Sequence, residues 1–265
     1  MVRLERLRRR LSERGFGARA RQDEGLARYT SFGIGGPADI LVVADTLDDL
    51  ESLVRSAWEE AVPVQILGSG TNVLVSDEGV RGLVIINHCA GYQLSDEGLL
   101  IAQSGTPLRQ AAYESISRGW AGLEWAVGVP GTVGGAAVGN AGAYGGCMAD
   151  NVRWVEVLLA DGSRQRLDAD ALEYGYRSSA LKREPCPRHR RIVTEVALQL
   201  APADREELWA KAEANTAQRE ARTPKGCCAG SVFKRTLQYP PGFLIEQAGL
   251  KGRRIGGAEV SAKHA

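Results

Sequence analysis

Apolar residues recur along this chain at two spacings, one typical of helices and one typical of strands. Near the N-terminus, Leu4, Leu7 and Leu11 share one face among arginines, which predicts a short amphipathic helix. Its basic face indicates solvent exposure, with a nucleic-acid contact as the less favoured alternative. Ile40–Val43 and Val64–Leu67 are continuous apolar runs and predict two strands.

A second helix is predicted between those two strands. Asp45 or Thr46 can cap its first turn, and Pro63 marks its end. Its apolar side carries Leu50, Leu53, Val54, Ala57 and Trp58. A strand, a helix and a strand followed by a glycine loop form a pattern that suits a nucleotide cofactor.

That glycine loop differs from two familiar phosphate motifs. It has neither the lysine nor the Ser/Thr of a Walker loop, and it lacks the third glycine of a Rossmann fingerprint. It leads into Val73–Val75, which we predict as a strand, and residues 73–87 as a whole predict two strands around a turn. Its backbone N–H groups can cradle a pyrophosphate, and a tight structural turn is the alternative. The loop consists of Gly68, Ser69, Gly70, Thr71 and Asn72.

The remaining predicted elements are a helix, a hairpin, a strand and a long helix. The hairpin turns at Asp161-Gly162, a strong turn signal. The helix begins at Thr106-Pro107 and the hairpin spans residues 151–167. The strand spans residues 191–200, and the long helix runs from Asp204 to about Ala221.

Residues 122–146 form the least ordinary segment. We interpret them as too rich in glycine for a helix and too apolar for a linker. Small residues let a flat ring system lie against the backbone, whose N–H and C=O groups then contact the edge of the ring. A close-packed glycine loop without a ligand is the alternative.

Composition and charge exclude several classes of protein. The 265 residues are 44% hydrophobic and 25% charged with a net charge of +1, typical of a soluble globular protein with no global attraction to nucleic acid or membrane. The five cysteines form no CxxC pair and the three histidines no HExxH motif, so we expect neither disulfides nor a metal. The chain shows neither the apolar core of a signal peptide nor a run of about 20 apolar residues. We therefore expect a cytoplasmic protein. As a separate expectation, we predict a monomer.

Two further stretches hold candidate chemistry. Ser231 follows small residues in the sequence KGCCAGSVFK, and a solvated turn serine is the ordinary interpretation of such a residue. Arg219 and Arg222 lie three residues apart near the end of the long predicted helix and share a face. They suit either a diphosphate or the capping of the helix C-terminus by cations.

Six stretches in one order carry a resemblance to a known family. The chain resembles the MurB family of UDP-N-acetylenolpyruvoylglucosamine reductases, and its last third is similar to the type II subgroup. The matching stretches cover most of residues 29–265. They are YTSFGIGGPAD, ILGSGTNVLVSDEGVRGLVI, GLEWAVGVPGTVGGAAVGNAGAYG, YGYRSSALK, AGSVFKR and GFLIEQAGLKGRRIGGAEVSAKHA.

The resemblance implies an α+β fold. Its FAD-binding core is in two parts, of the vanillyl-alcohol-oxidase-like (PCMH) type, and a smaller α+β substrate-binding domain follows. The expected parts are an N-terminal helix at 1–20, FAD subdomains at 21–86 and 87–203, and a substrate domain at 204–265.

The resemblance also implies the cofactors, FAD and NADPH. It makes residues 68–72 the flavin pyrophosphate loop. It assigns the bed for the flavin to Gly128, Pro130, Gly131, Thr132, Gly134, Gly135, Asn140, Gly142 and Ala143.

The implied reaction reduces UDP-N-acetylglucosamine enolpyruvate to UDP-N-acetylmuramate in peptidoglycan synthesis. Hydride passes from NADPH to flavin N5 and then to C3 of the enolpyruvyl group. Arg177 stabilises the negative charge that develops at C2, and Ser231 donates a proton there. The implied substrate-binding residues are Tyr144, Tyr176, Arg219, Arg222 and Lys263.

The family's third catalytic group, a glutamate near the C-terminus, has no match before Ala265. We therefore expect the sequence to be incomplete at its C-terminus, and a flavin- or nucleotide-binding fragment with impaired catalysis is one alternative. The other is a flavin oxidase of the same fold. Many such oxidases tether flavin through a histidine, and His88 lies outside both glycine segments, so we expect non-covalent flavin.

Overall fold

The computed structural model describes residues 2–184 and 191–264 of the chain. Cys186 and His189, two of the residues weighed as metal ligands, lie outside these described residues. The helices are α1 Val2–Glu13, α2 Leu47–Glu59, α3 Leu108–Ser117, α4 Val133–Gly139, α5 Ala180–Arg183, α6 Arg205–Arg222 and α7 Pro241–Gln247.

The strands follow the predicted runs closely, with several short additions. They are β1 Arg21–Gly25, β2 Pro37–Ala44, β3 Val64–Leu67, β4 Val80–Asn87, β5 Tyr92–Leu94, β6 Leu99–Gln103, β7 Trp120–Ala121, β8 Gly142–Ala143, β9 Gly146–Cys147, β10 Val152–Leu158, β11 Arg164–Asp168, β12 Ile192–Gln199, β13 Ala201–Pro202, β14 Arg254–Ile255 and β15 Ala258–Glu259.

The first sheet has the strand order β1-β2-β4-β3, with β4 parallel to both β2 and β3. Alternate residues of β2 face opposite sides, as the period of two along a strand requires. Ile40 packs with α1 and α2, whereas Leu41 packs on the other face beside Leu26. The predicted cap of α2 is confirmed, because the hydroxyl of Thr46 accepts a hydrogen bond of 3.1 Å from the backbone N–H of Asp49.

The second sheet is antiparallel, with the strand order β11-β10-β12-β6-β5. The predicted hairpin forms β10 and β11, with Gly162 in the left-handed conformation at φ +84°. The largest buried cluster joins this sheet to α3, α4 and the first half of α6, which supplies Leu208 and Ala212. The predicted helices after Pro107 and Asp204 are confirmed as α3 and α6.

Polar contacts, among others, join the two sheets and their helices. Arg164 in β11 makes ion pairs with Glu51 of α2 and, at 3.2 Å, with Glu156 of β10. Asn87, at the end of β4, donates a buried hydrogen bond of 2.8 Å to the hydroxyl of Ser104, just after β6. Ser104 also accepts a bond of 2.9 Å from the backbone N–H of Gly134, so this junction holds the start of α4.

The exclusion of a helix from residues 122–146 is wrong, because α4 lies within them. Thr132 caps α4, and its hydroxyl accepts a hydrogen bond from the N–H of Gly135. A β-carbon on Gly134 would lie 2.6 Å from that of Ser104. Tertiary packing therefore overrides the weak helix propensity of glycine, since the lack of a side chain lets α4 approach the sheet.

The prediction of a strand at Val73–Val75 is also wrong. These residues form no ladder, although Val73 and Val75 pack against the Leu41 face of the first sheet. The backbone bonds of this stretch are instead isolated, such as the 3.0 Å bond from Gly36 N–H to the carbonyl of Ser76. Only the second of the two strands predicted in residues 73–87 forms, as β4.

Residues 222–264 make the last part of the described chain. They contain α7 and the β14–β15 hairpin, and none of these residues is buried. No helix among the described residues combines the length and the apolar character that a membrane span requires.

Candidate active site

The two glycine segments singled out in the sequence lie against each other. A β-carbon on Gly68 would lie 2.6 Å from the hydroxyl of Thr132, the residue that caps α4. On the other side, a β-carbon on Gly131 would lie 3.3 Å from the hydroxyl of Thr71. The structure thus brings the predicted pyrophosphate loop onto the predicted flavin bed, and glycine is what permits this close approach.

The segment Tyr29–Ser31 forms a third wall beside the loop. Gly70 has φ +60°, and a β-carbon there would lie 2.9 Å from the carbonyl carbon of Tyr29 and nearer still to its oxygen. The N–H of Ser31 donates a hydrogen bond of 3.0 Å to the carbonyl of Gly70. Both features fix the path of the loop, and the close approach to Tyr29 requires that residue 70 have no side chain.

An open cleft of about 270 Å³ lies at this junction. Its lining combines hydroxyl groups, glycine backbone and two groups that carry or can carry positive charge. Such a polar, glycine-lined cleft fits the phosphates of a dinucleotide, because backbone N–H groups and cations stabilise negative charge. The lining residues are Arg28, Tyr29, Thr30, Ser31, Gly68, Ser69 and His88.

Sequence reasoning missed Arg28, and it set His88 aside because that residue lies outside the glycine segments. In the fold His88 comes directly after β4, whose C-terminal end points to the same edge of the sheet as that of β3. The parallel pairing of these strands brings His88 beside Gly68. A strand-order prediction would have found it. The expectation of non-covalent flavin stays a prediction.

The loop that carries Arg177 packs on the far end of the flavin bed. Arg177 adopts a left-handed backbone conformation at φ +55°, unusual for a residue with a side chain. Its guanidinium donates a hydrogen bond of 2.9 Å to the carbonyl of Gly142 and lies 5.8 Å from the centre of the Tyr176 ring. Asn140 donates from its amide to the carbonyl of Gly175 at 3.0 Å. These bonds hold the Tyr176-Arg177 loop on the segment assigned to the flavin.

Positive charge is concentrated around this loop. Lys182 donates a hydrogen bond of 3.0 Å to the carbonyl of Arg177. Burial first, and then the charges of Lys234 and Arg177, hold the pKa of Lys182 below its usual value. Three cations in one region favour an anionic ligand, because such a ligand relieves their mutual repulsion.

Residues 225–235, which we call the Ser231 segment, reach this loop through a backbone donor. The N–H of Arg235 donates a hydrogen bond of 3.3 Å to the hydroxyl of Tyr176. Ser231 itself is exposed, as are Val232 and Phe233 after it. This bond connects the Tyr176-Arg177 loop to Arg235, four residues after Ser231, across 59 positions of sequence.

The predicted diphosphate-binding residues lie at the end of α6. The side chain of Arg219 packs on Gly128, where a β-carbon would lie 3.0 Å from its Cδ. Arg222 is exposed in the last turn of α6. Lys263 donates hydrogen bonds of 2.8 and 2.9 Å to the carbonyls of Glu220 and Thr223. Lys263 thus caps the helix that carries both arginines, and its direct contact with substrate stays a prediction.

Tyr144 completes the set of predicted residues. It lies in the turn between β8 and β9 at φ +51° and is 36% exposed. Its backbone conformation follows from the tight antiparallel pairing of Ala143 with Gly146. Its neighbour Ala143 belongs to the proposed flavin bed, so Tyr144 lies at the rim of the same region.

Two family models match this chain. Residues 38–168 match an FAD binding domain, and residues 222–265 match the C-terminal domain of UDP-N-acetylenolpyruvoylglucosamine reductase. The first of these ranges contains residues 68–72 and 128–143, which together we call the glycine cradle. The prediction of an FAD-binding core is confirmed.

Whole-chain relatives agree. UDP-N-acetylenolpyruvoylglucosamine reductase 2 of Symbiobacterium thermophilum is 44% identical over 98% of this chain and 83% of its own length. The reductase of Synechococcus sp. is 42% identical over 92% of this chain and 80% of its own. The crystal structure of the MurB enzyme of Thermus caldophilus superimposes with a TM-score of 0.77 at 35% identity, covering 92% of this chain and 85% of that one.

More distant structures share the fold. The 4-ethylphenol oxidase of Gulosibacter chungangensis has a TM-score of 0.54 at 16% identity, over 76% of this chain and 43% of that one. That likeness concerns the fold alone and agrees with the predicted fold class. The identities above 40% over nearly the whole chain are decisive: this chain belongs to the UDP-N-acetylenolpyruvoylglucosamine reductase family.

Proposed function

We propose that this protein uses FAD and NADPH to reduce the enolpyruvyl group of UDP-N-acetylglucosamine enolpyruvate, giving UDP-N-acetylmuramate. One observation carries the proposal: the arginine predicted to contact the substrate is hydrogen-bonded to the segment predicted to carry the flavin, through Arg177 and Gly142. The reaction is a step of peptidoglycan synthesis, and by this proposal it takes place in the cytoplasm.

The glycine cradle would hold the cofactor. Residues 68–72 would bind the pyrophosphate, and residues 128–143 would bind the flavin ring through closely approaching backbone. When bound, FAD supplies the hydride chemistry that links oxidation of NADPH to reduction of the enolpyruvyl double bond. The close approach of Gly68 to Thr132 and of Gly131 to Thr71 supports this assignment, because β-carbons there would fill the space between the segments.

Arg177 would stabilise the negative charge that develops at C2 and spreads into the adjacent carboxylate. A guanidinium stays charged at any physiological pH and can bind a carboxylate through two parallel hydrogen bonds. Lys182 bonds to the backbone carbonyl of Arg177, and the guanidinium itself bonds to the carbonyl of Gly142, so both ends of the residue are held before substrate binds. Fixed donors stabilise a transition state better than mobile ones, since they need no reorganisation during the reaction.

Ser231 would donate the proton that C2 requires. A hydroxyl is a weak acid, but the carbanion at C2 is basic enough to accept its proton when the two are aligned. Arg219 and Arg222 at the end of α6 would bind the diphosphate, with Tyr144 and Tyr176 at the rim of the site. The exposure of Ser231 and the bond from Arg235, four residues later, to the hydroxyl of Tyr176 support this arrangement.

The test separates the two halves of the reaction. The purified chain should absorb near 450 nm and consume NADPH only when the enolpyruvyl substrate is present. Ser231→Ala should leave reduction of the flavin by NADPH unchanged and slow its reoxidation by substrate by about 10²–10⁴-fold, the usual contribution of a general acid. Ser117→Ala is the matched control, because Ser117 is an exposed serine whose hydroxyl bonds only within α3.

Each outcome has a distinct meaning. A yellow protein without substrate-dependent NADPH consumption would reduce the proposal to flavin binding alone. NADPH-independent consumption of oxygen with a small alcohol would favour the oxidase alternative. Equal losses in both half-reactions on Ser231→Ala would show that Ser231 has a structural role.

A further inference from the structure

Ser31 makes three hydrogen bonds that join two distant parts of the chain. Its N–H donates to the carbonyl of Gly70 at 3.0 Å, within the pyrophosphate loop. Its carbonyl accepts from the N–H of Cys228 at 3.1 Å, and its hydroxyl donates to the carbonyl of Cys228 at 2.7 Å. The contact with Cys228 spans 197 positions of sequence.

The neighbouring residues reinforce this contact. Gly33 has φ +70°, and a β-carbon there would lie 3.1 Å from the thiol of Cys227. Cys228 and Ser231 are three residues apart, and the N–H of Gly230 between them bonds to the thiol of Cys228 at 3.2 Å. Hydrogen bonds therefore connect Gly70 through Ser31 to Cys228, and Cys228 bonds to Gly230, the residue before Ser231.

Few other bonds hold the Ser231 segment. Within the described chain, the hydrogen bonds that join residues 225–260 to residues 2–222 are the two at Ser31 and the one from Arg235 to Tyr176. None of residues 222–264 is buried, so the hydrophobic effect adds little to the ordering of this segment. A single hydrogen bond then has a large share in deciding where Ser231 lies.

We propose that Ser31 is a positioning residue that couples the occupation of the pyrophosphate loop to the placement of the Ser231 segment. The inference rests on the proposed function of residues 68–72 and Ser231. A ligand bound by the N–H groups of the loop fixes the backbone at Gly70, whose carbonyl accepts the bond from Ser31 N–H, and the hydroxyl of Ser31 then holds Cys228. Binding of FAD would thus complete the proton-donating side of the site before substrate arrives.

The thiols of Cys227 and Cys228 report on this coupling without any need for catalysis. Cys227 is exposed and Cys228 is half-buried, and alkylation by N-ethylmaleimide, followed residue by residue by mass spectrometry, measures their accessibility. In wild-type protein FAD should slow alkylation of Cys228 about five-fold. In Ser31→Ala without FAD, alkylation of Cys228 should be about five-fold faster than in wild type, the equivalent of one lost hydrogen bond. FAD should no longer protect this variant.

Two controls distinguish positioning from general damage. Ser31→Thr keeps the hydroxyl and should restore the protection, whereas Ser117→Ala should behave as wild type throughout. Both half-reactions are compared at saturating FAD, with flavin absorbance showing that the variant is loaded, because Ser31 also lines the cleft assigned to the phosphates. Under that condition Ser31→Ala should slow reoxidation of the flavin by substrate more than it slows reduction of the flavin by NADPH.

The outcomes separate this inference from the proposed function. Equal protection of Cys228 by FAD in wild type and in Ser31→Ala would overturn the role of Ser31. The role would also be overturned if FAD, shown by its absorbance to be bound, protected Cys228 in neither protein. A chain that binds no FAD would overturn the proposed function. In that case an unchanged alkylation rate in FAD-free Ser31→Ala would overturn the Ser31–Cys228 contact as well.

Discussion

Replacement of Gly70 by alanine tests the glycine cradle most directly. Gly70 combines a left-handed conformation, φ +60°, with backbone packed on the side where a side chain would start. The left-handed conformation costs alanine about 1–2 kcal/mol relative to glycine. The new β-carbon would lie 2.9 Å from the carbonyl carbon of Tyr29 and 3.0 Å from Cα of Thr30. Neither neighbour is a flexible side-chain end, so the backbone itself must move.

Forced overpacking of this kind costs about 1–3 kcal/mol. The two effects together amount to about 3 kcal/mol, which the loop avoids by leaving its present path. A loop that has moved no longer bonds Ser31 or lies against Thr132, so we expect FAD affinity to fall by roughly 100-fold. The overall melting temperature should change much less, because the rearrangement is confined to a half-exposed loop.

Titration of the apoprotein with FAD, followed by quenching of flavin fluorescence, measures this loss. Gly15→Ala is the matched control: Gly15 has φ +83° but no atom within 4 Å of where a β-carbon would lie. It should cost about 1 kcal/mol of stability and leave FAD affinity unchanged. Wild-type affinity in Gly70→Ala would refute residues 68–72 as the pyrophosphate loop, provided that Gly15→Ala also folds.

Two further predictions concern charge. Arg177→Lys should slow reduction of the substrate by the equivalent of about 2–4 kcal/mol while flavin reduction by NADPH persists, since lysine cannot bind a carboxylate through two parallel hydrogen bonds. Single-turnover kinetics measure the two rates. A near-normal rate of substrate reduction would remove Arg177 from the site. Burial tends to raise the pKa of Glu124, but hydrogen bonds from Gly122 N–H and Lys211 outweigh it and hold the pKa below its usual value. A carboxylate with a lowered folded-state pKa adds stability above its unfolded pKa and loses it as the pH falls through the folded pKa. Urea unfolding from pH 7 to pH 3 should therefore show a steeper loss in wild type than in Glu124→Gln, and identical slopes would contradict this account.

Local sequence patterns predicted the regular elements well. The apolar run at Ile40–Val43 became the centre of β2, and Thr46 caps α2 as its side chain allows. Asp161-Gly162 turned the hairpin, since glycine adopts φ +84° at low cost. Each of these features depends on residues within a few positions of each other, which is where sequence periodicity is informative.

The errors and omissions arose from long-range contacts. The helix at residues 133–139 packs closely on Ser104, about 30 residues earlier, and only a glycine at position 134 leaves room for that contact. The Ser31–Cys228 contact spans 197 positions, and no local pattern marks either residue. His88 reaches the cleft only because β3 and β4 run parallel. Residue patterns indicated the glycine loop at 68–72 and the pair Arg219 and Arg222, whereas the catalytic roles of Arg177 and Ser231 came from resemblance to a family. All of these roles stay predictions until the half-reactions are measured.

The lack of buried residues in 222–264 has a practical consequence for the search for inhibitors. Thermal-shift screening detects a ligand only when it stabilises the unit whose melting is observed. Here that unit is the pair of sheets with α1 to α6, and a compound that binds the Ser231 segment alone would leave its transition almost unmoved. Such compounds would be found by amide hydrogen exchange resolved to residues 222–264, where the opening free energy is low and a bound ligand changes it most.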